Sequence, residues 1–486
     1  MKFQFLLSLP LLFVQLAYAS QPATIWRTTL PQAGQSGVCL HGDNLYLTIH
    51  APIAAGTKGL PKGKDIIGQC YSRKDGKLKW EVHLTGTVHG SMLEAWHDAT
   101  TLVPVANEDL VVFHNLNGML LCCGHSGNEL WKRPFDAPSP DIKNSRMFLH
   151  GDTLVVALPS KEIAVQGDAK HEPLPFYQIH GIDLKTGKDR WVSPVLQSHA
   201  TQYSIGAWNG KPVIATSLVD LSHWQFGKGN HGYLLSIEDG SVFQEFEIPK
   251  VNPHQKNQLV DNAFLLAPST PGKTHLQLFS TKDGSLQTDI QFAIPDNYYS
   301  RVGNQYELEG WRPKLPCKLL QGRRYPMHST LNAFGDKVLW FASASNSIGC
   351  YDLRTKTSTM VDVPMQVLGD REVWDVKDLD FAPGVKNSQG QVVYSRSPGS
   401  GRGPHWGGFG HMNPAWPVRQ GNTLFWQGGL GTLYRIDLDG DFSPCKVQWA
   451  GISPYGGHWT FGAPAVDGEE VYLRSQLELV KIGWYL

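Results

Sequence analysis

Phe176-Tyr177-Gln178-Ile179-His180-Gly181-Ile182-Asp183-Leu184-Lys185-Thr186-Gly187-Lys188-Asp189-Arg190-Trp191 is the stretch that decides the fold. Its first half reads as a strand rich in apolar and aromatic residues. Lys185 to Lys188 is a tight turn, with glycine where a turn needs positive φ, and Arg190-Trp191 opens a second strand. Upstream, Met147-Phe148-Leu149-His150 leads to a Gly151-Asp152 turn, and Thr153 to Leu158 is an apolar strand. Residues 144–195 therefore read as strand, turn, strand, loop, strand, turn, strand. Trp191, four residues beyond the turn glycine, is placed to cover the gap to an adjacent sheet.

The same unit recurs along the chain. Gly42 to Leu47 with Asp75-Gly76-Lys77 and Trp80 make a first copy, and Asn107 to Phe113 with Ser126-Gly127-Asn128 and Trp131 a second. After the copy at 144–195 comes a fourth, Asn209-Gly210 with Glu238-Asp239-Gly240, where Phe243 stands in for the tryptophan. A fifth runs from Val260 to Leu266 with Lys282-Asp283-Gly284. A sixth joins Gly335-Asp336 to Trp340 with Asp352 to Thr355, and a seventh joins Gln420 to Phe425 with Asp437 to Gly440 and Trp449. The eighth, Asp467 to Leu473 followed by Leu477 to Ile482, runs out of chain before its outer strand. Ile25-Trp26-Arg27 has the form of that missing strand. An N-terminal strand completing the last unit closes the ring and leaves no open sheet edge at the seam. The expected fold is all-β, an eight-bladed β-propeller closed by the N-terminal strand, with seven blades the alternative count.

Asp183-x-x-Thr186-Gly187-Lys188-x-x-Trp191 resembles the tryptophan-docking repeat of the pyrroloquinoline-quinone (PQQ)-like propellers, the quinoprotein alcohol dehydrogenase-like family. Ser72 to Trp80 and Cys123 to Trp131 are degenerate copies. The resemblance implies structural docking roles for Trp26, Trp80, Trp131 and Trp191. It implies either of two kinds of function, since such propellers include PQQ-dependent dehydrogenases and cofactor-free scaffolds similar to outer-membrane protein assembly propellers. PQQ with Ca²⁺ would be the cofactor of the first kind. Neither its aromatic platform, nor Ca²⁺ ligands, nor a carboxylate base maps onto a matching motif here, so no cofactor is assigned from the sequence. The adjacent Cys122-Cys123 pair ends a strand on the face away from the expected cofactor and reads as structural.

Composition sets the outer limits. Lys and Arg (43) balance Asp and Glu (43), and no basic run gives the electrostatic footprint of a nucleic-acid binder. Lys2, the apolar run Phe5 to Leu16 and Ala17-Tyr18-Ala19 read as a signal peptide over residues 1–19, which predicts export to a periplasm or the extracellular space. Residues 20–486 are then expected to form one propeller domain with insertions at about 296–327 and 365–410. No later apolar run reaches the roughly 20 residues of a membrane span. Seven cysteines (39, 70, 122, 123, 317, 350 and 445) lack the paired spacing of a zinc site.

In such a ring the loops that enter the inner strands share one face with those between second and third strands. The longest insertions are expected there, which makes it the face for function. His97, His199, His328, His411 and His458 share one register, each seven to ten residues ahead of the polar turn that follows an inner strand. Ser395 to Pro417 adds Arg402, His405, Trp406, Asn413 and Trp416 among many glycines, and Trp459 follows His458. Guanidinium, imidazole and indole together suit an anionic, sugar-like or planar ligand. The plainer alternative is a set of backbone hydrogen bonds at blade junctions, as repeat duplication produces. The expected role is a binding scaffold taking a protein, peptide or glycan ligand. The alternatives are a PQQ-dependent or other oxidoreductase, or a hydrolase or lyase using the histidines.

Overall fold

The computed structural model describes residues 22–52, 62–91, 99–137, 146–164, 174–198, 201–219, 229–251, 256–260, 262–266, 275–291, 295–309, 331–342, 347–364, 366–374, 378, 416–428, 431–452 and 462–484. They form an all-β, eight-bladed β-propeller. Blade three carries the defining stretch: Phe148–His150, Thr153–Ala164, Leu174–Asp183 and Asp189–Val192 pair antiparallel in that order from axis to rim. Gly151 (φ 53°) makes its first turn and Gly187 (φ 69°) its last, conformations that a Cβ disfavours. The Asp183 carboxylate fixes the last turn by accepting from the Thr186 amide (2.9 Å) and hydroxyl (2.9 Å).

The inner strands of the other blades are Cys39–His41, Val105–Ala106, Ser204–Trp208, Gln258–Val260, Asn332–Phe334, Val418–Gln420 and Ala465–Asp467. Each blade turns both faces of its sheet toward neighbours, so its middle strands are apolar almost throughout. Eight buried clusters result, each filling the gap between two consecutive blades. Leu154, Val156 and Ile182 of blade three meet Val112 and Leu120 of blade two in one of them. Val155, Ala157 and Ile179, on the other face of the same strands, meet Ile214 and Leu235 of blade four in the next. The period-2 alternation of a strand thus serves two cores at once. Full burial of each such side chain is worth about 1.5–3 kcal/mol.

The ring closes as the sequence implies. Ala23–Thr29 pairs antiparallel with Glu478–Gly483 as the outer strand of blade eight. Leu45, Leu47 and Ile49 of blade one then pack on Tyr472 and Leu479 of blade eight. Charge ties the seam together. Arg27 meets Glu478 at 2.9 Å, while Arg73 of blade one meets Asp467 at 2.5 Å and Glu470 at 2.9 Å.

The tryptophans dock as the repeat demands. The ring of Trp131 lies on Gly187 of the next blade so closely that a Cβ there would sit 2.7 Å from it, and its Nε1 donates to the Leu184 carbonyl at 2.7 Å. Trp26 covers Gly76, Trp80 covers Gly127 and Trp191 covers Gly240 in the same way. In blade four the structure corrects the reading of Phe243. That side chain is 43% exposed and stacks on Trp208. The docking place, four residues past Gly240, belongs to Gln244, whose Nε2 donates to the Lys282 carbonyl at 3.0 Å. An amide thus reproduces the indole's hydrogen bond without its apolar cover.

Two insertions also depart from expectation in their described parts. Asn297–Val302 and Gln305–Glu309 form a hairpin added to the rim of blade six, where Asn297–Val302 runs parallel to Thr357–Asp362. Gln366–Leu368 and Arg371–Val373 form a second hairpin beside the outer strand of blade seven, with Glu372 accepting from Trp449 Nε1 at 2.8 Å. Neither hairpin lies at the central mouth. The chain leaving one blade starts from the rim, so the first part of an insertion meets an open outer edge and covers it.

Candidate functional site

The expected ligand-binding residues His97, His199, His328, Arg402, His405, Trp406, His411, Asn413, His458 and Trp459 all lie outside the described residues, as do residues 1–19 and Cys317. The six described cysteines are free thiols, with Cys122 and Cys123 fully buried in a middle strand of blade two. Among the described residues no group of three His, Cys, Asp or Glu side chains is placed to hold a metal ion. No helix among them is long and apolar enough to cross a membrane.

What the described residues do bring together sits at the register just before the inner strands. Arg146 leads into blade three, Lys256 into blade five and Trp416 into blade seven. Blades three and seven are diametrically opposite in a ring of eight, so side chains entering them meet only on the axis. Arg146 and Trp416 do meet, with the guanidinium carbon 5.1 Å from the indole centroid. Lys256, a quarter-turn away, places Nζ 4.7 Å from the same ring. These three residues, entering three different blades, meet beside one indole ring at the axis.

The surroundings fix each member. Arg146 also lies over Phe148, 5.6 Å to the centroid, and its carbonyl accepts from the Tyr203 hydroxyl. Lys256 is fully buried and donates to the neutral Asn332 Oδ1 at 3.1 Å. Its backbone bridges to Gln202, and the Asn257 amide donates to the Gln202 carbonyl at 3.1 Å, so the entries to blades four and five are tied together. Burial first, then the nearby Arg146 charge, holds the Lys256 ammonium well below its ordinary range. Burial likewise pulls Arg146 down to about 10, partly offset by Tyr203, so the guanidinium stays charged at neutral pH.

A second buried cation on this face is a useful contrast. Arg474, at the end of a blade-eight strand, donates to Ser36 Oγ and to the Thr48 carbonyl, both at 2.6 Å. It is a staple between blades eight and one, its charge absorbed by protein oxygens. For Arg146, among the described residues, the contacts are instead two aromatic rings, with no carboxylate among its neighbours.

Arg146 and Lys256 were not singled out from the sequence, although Trp416 fell within the unusual segment ending at Pro417. The residues that reach the axis stand five or six positions ahead of the polar turn, whereas the histidine register stands seven to ten ahead. Comparing all residue types at that nearer register would have exposed the two cations.

Comparison with known proteins now bears on this geometry. The family described as "Outer membrane protein assembly factor BamB" matches residues 15–286, more than half of the chain. No curated protein sequence matches. Similar solved structures include BamB from Moraxella catarrhalis, at 12% identity and TM-score 0.45, covering 95% of this chain and 97% of that one. A europium-containing methanol dehydrogenase is similar at 12% identity and TM-score 0.48, with 95% and 93% covered. The quinohemoprotein alcohol dehydrogenase from Comamonas testosteroni follows at 11% identity and TM-score 0.45, with 96% and 76% covered. By its docking repeats and by the family match across residues 15–286, this chain belongs to the outer membrane protein assembly factor BamB family of PQQ-like β-propellers.

Proposed function

We propose that the chain is an exported, non-catalytic binding scaffold that works through the face where its inner strands begin, with a protein, peptide or glycan as ligand. The observation that carries this reading is the convergence of Arg146, Lys256 and Trp416 on the axis of that face. Cations and an indole held by rigid blades form a recognition surface at the end of the ring where the inner strands begin. The family description, an assembly factor, favours a protein partner. Export follows from the signal-peptide pattern of residues 1–19.

Photo-crosslinking tests the reading. A crosslinking side chain in place of Trp416 is expected to give discrete adducts in cells, and one in place of Asp152, on an exposed turn of the opposite face, none. The oxidoreductase alternative has its own signature. Incubated with PQQ and Ca²⁺, the purified chain is expected to retain no cofactor absorbance after gel filtration and to reduce no dye with alcohols. Retained absorbance with alcohol-dependent reduction would replace the scaffold reading by that of a quinoprotein.

A further inference from the structure

We infer that the outer edge of Gln305–Glu309, the free strand of the hairpin on blade six, is a docking edge for an extended, basic segment of a partner protein. That segment adds to the six-stranded sheet as one further strand. The surface lies at the rim and is separate from the axial face.

Three observations support it. First, this edge is regular where other rim edges are not. The outer strands of blades one to five and of blade eight each carry a register shift against the neighbouring strand, at positions 70/71, 122/123, 181/182, 234/235, 278/279 and 24/26. Such bulges twist an edge away from incoming chains. Gln305–Glu309 pairs with Asn297–Val302 without a shift, from Tyr298–Glu309 to Val302–Gln305. The outer strand of blade six is covered by this hairpin, and that of blade seven adjoins the other hairpin, whose own edge, Arg371–Val373, is three residues long. Second, the edge is open. The two-residue turn Gly303-Asn304 makes Val302 and Gln305 the closing hydrogen-bonded pair, so the alternation of an antiparallel ladder directs the N–H and C=O of Tyr306 and Leu308 outward. Among the described residues no backbone group pairs with them there, and the Leu308 side chain is 58% exposed. Third, charge selects the occupant. The strand holds Glu307 and Glu309 and no cation. Antiparallel pairing with a second copy sets Glu307 against itself when centred there, and against Glu309 when centred on Leu308, and like charges directly opposite are destabilising. A partner strand in which apolar residues alternate with Lys or Arg meets Leu308 on one face and Glu307 on the other.

The probe is a capped, fluorescently labelled peptide of about seven residues in which Lys and Val alternate, long enough to span the edge. Its binding to the purified full chain is read by fluorescence anisotropy at low ionic strength. Two peptides of the same length are the controls. A Glu–Val peptide reverses the charge, and a Lys–Val peptide with proline at its central Val keeps the charge but breaks strand pairing. Saturable binding of the Lys–Val peptide, at least tenfold tighter than either control, is expected. Leu308→Pro removes an outward N–H while sparing the hairpin's own hydrogen bonds, and is expected to weaken binding at least tenfold with an unchanged unfolding transition. Should that variant fail to fold, Glu307→Lys carries the comparison, and is expected to shift the preference toward the Glu–Val peptide. Equal binding of the proline peptide means charge attraction alone and overturns the docking edge, as do binding undiminished in the variants and no binding of the Lys–Val peptide. A concentration-dependent dimer that Leu308→Pro abolishes overturns it in favour of a second copy. Those results leave crosslinking at position 416 untouched, so failure of the docking edge and failure of the scaffold reading are separately visible.

Discussion

Blades one to four and blades five to seven hold their outer strands in different ways. In the first group a residue four positions past the turn glycine reaches across to the next blade: Trp80 to Gly127, Trp131 to Gly187, Trp191 to Gly240 and Gln244 to the Lys282 carbonyl. Trp26 performs the same act at the seam, on Gly76. In the second group the series stops. Thr288 follows Gly284, and in blade six the left-handed turn position is taken by Lys356 (φ 56°) instead of glycine. Met360, four residues on, is buried under the added hairpin at 297–309, whose Tyr298 shares its apolar cluster. Trp449 of blade seven turns to Glu372 of the other hairpin, and Trp374 of that hairpin packs edge-on against it at 5.7 Å. A blade rim can therefore be sealed by an indole from its own repeat or by an inserted hairpin. The family match ends at residue 286, close to where the docking glycines end at Gly284.

The largest test of the comparison is at the seam, where docking and strand pairing act together. Deleting residues 22–30 removes the outer strand of blade eight, the Trp26 contact with Gly76 and the Arg27–Glu478 pair. The expected outcome is a chain that associates through its freed edge and loses its cooperative unfolding transition, checked by gel filtration and calorimetry. Next in size is the contrast between two indoles. Trp131→Ala is expected to cost about 3–5 kcal/mol, because it opens a buried gap between blades two and three. Trp449→Ala should cost about 1–2 kcal/mol, since that ring is only partly buried and its hydrogen bond is to an exposed glutamate. Urea unfolding of the two variants measures the difference, and equal costs would show that the hairpins seal as strongly as the docking does.

A smaller effect concerns pH and lies within the docking group. His114 of blade two is fully buried against Phe135, and burial drives its pKa down to about 3. The folded chain keeps this imidazole neutral while the unfolded chain protonates near 6.5, so the unfolded state binds the extra proton between those values. Stability from this residue is complete above about pH 6.5 and falls as pH drops toward 3, by roughly 1.4 kcal/mol per unit. Comparing the chain with His114→Leu at pH 7 and pH 5 should show a difference in pH sensitivity of about 2 kcal/mol. Identical pH profiles would mean that His114 is not desolvated.

Much of the ring was legible because its signals are local. The Gly151 and Gly187 turns, the apolar runs and Trp191 all lie within some forty residues of one another, and their recurrence needs only counting. The docking of Gln244 was less visible, because the reading sought an aromatic residue and took Phe243, one place early. The function of a docking residue rests on a donor and a position, and an amide supplies both. The paths of the two hairpins were not legible either, since loop length says nothing of whether a segment turns toward the rim or the axis.

The candidate site marks the boundary most sharply. The sequence by itself determined the repeat, a ring of eight or seven blades and the closing role of Ile25 to Arg27, because turn chemistry and strand periodicity act between near neighbours. It also placed Trp416 among residues suited to a ligand. Only the tertiary structure decided that Arg146, Lys256 and Trp416, separated by 110 and 160 positions in the chain, share one point in space. Eight apolar interfaces set the angle between blades, and that angle turns a register position in each repeat into a place on the axis. Closure of the ring is a property of all blades together, so the meeting of residues from opposite blades is written in no single segment.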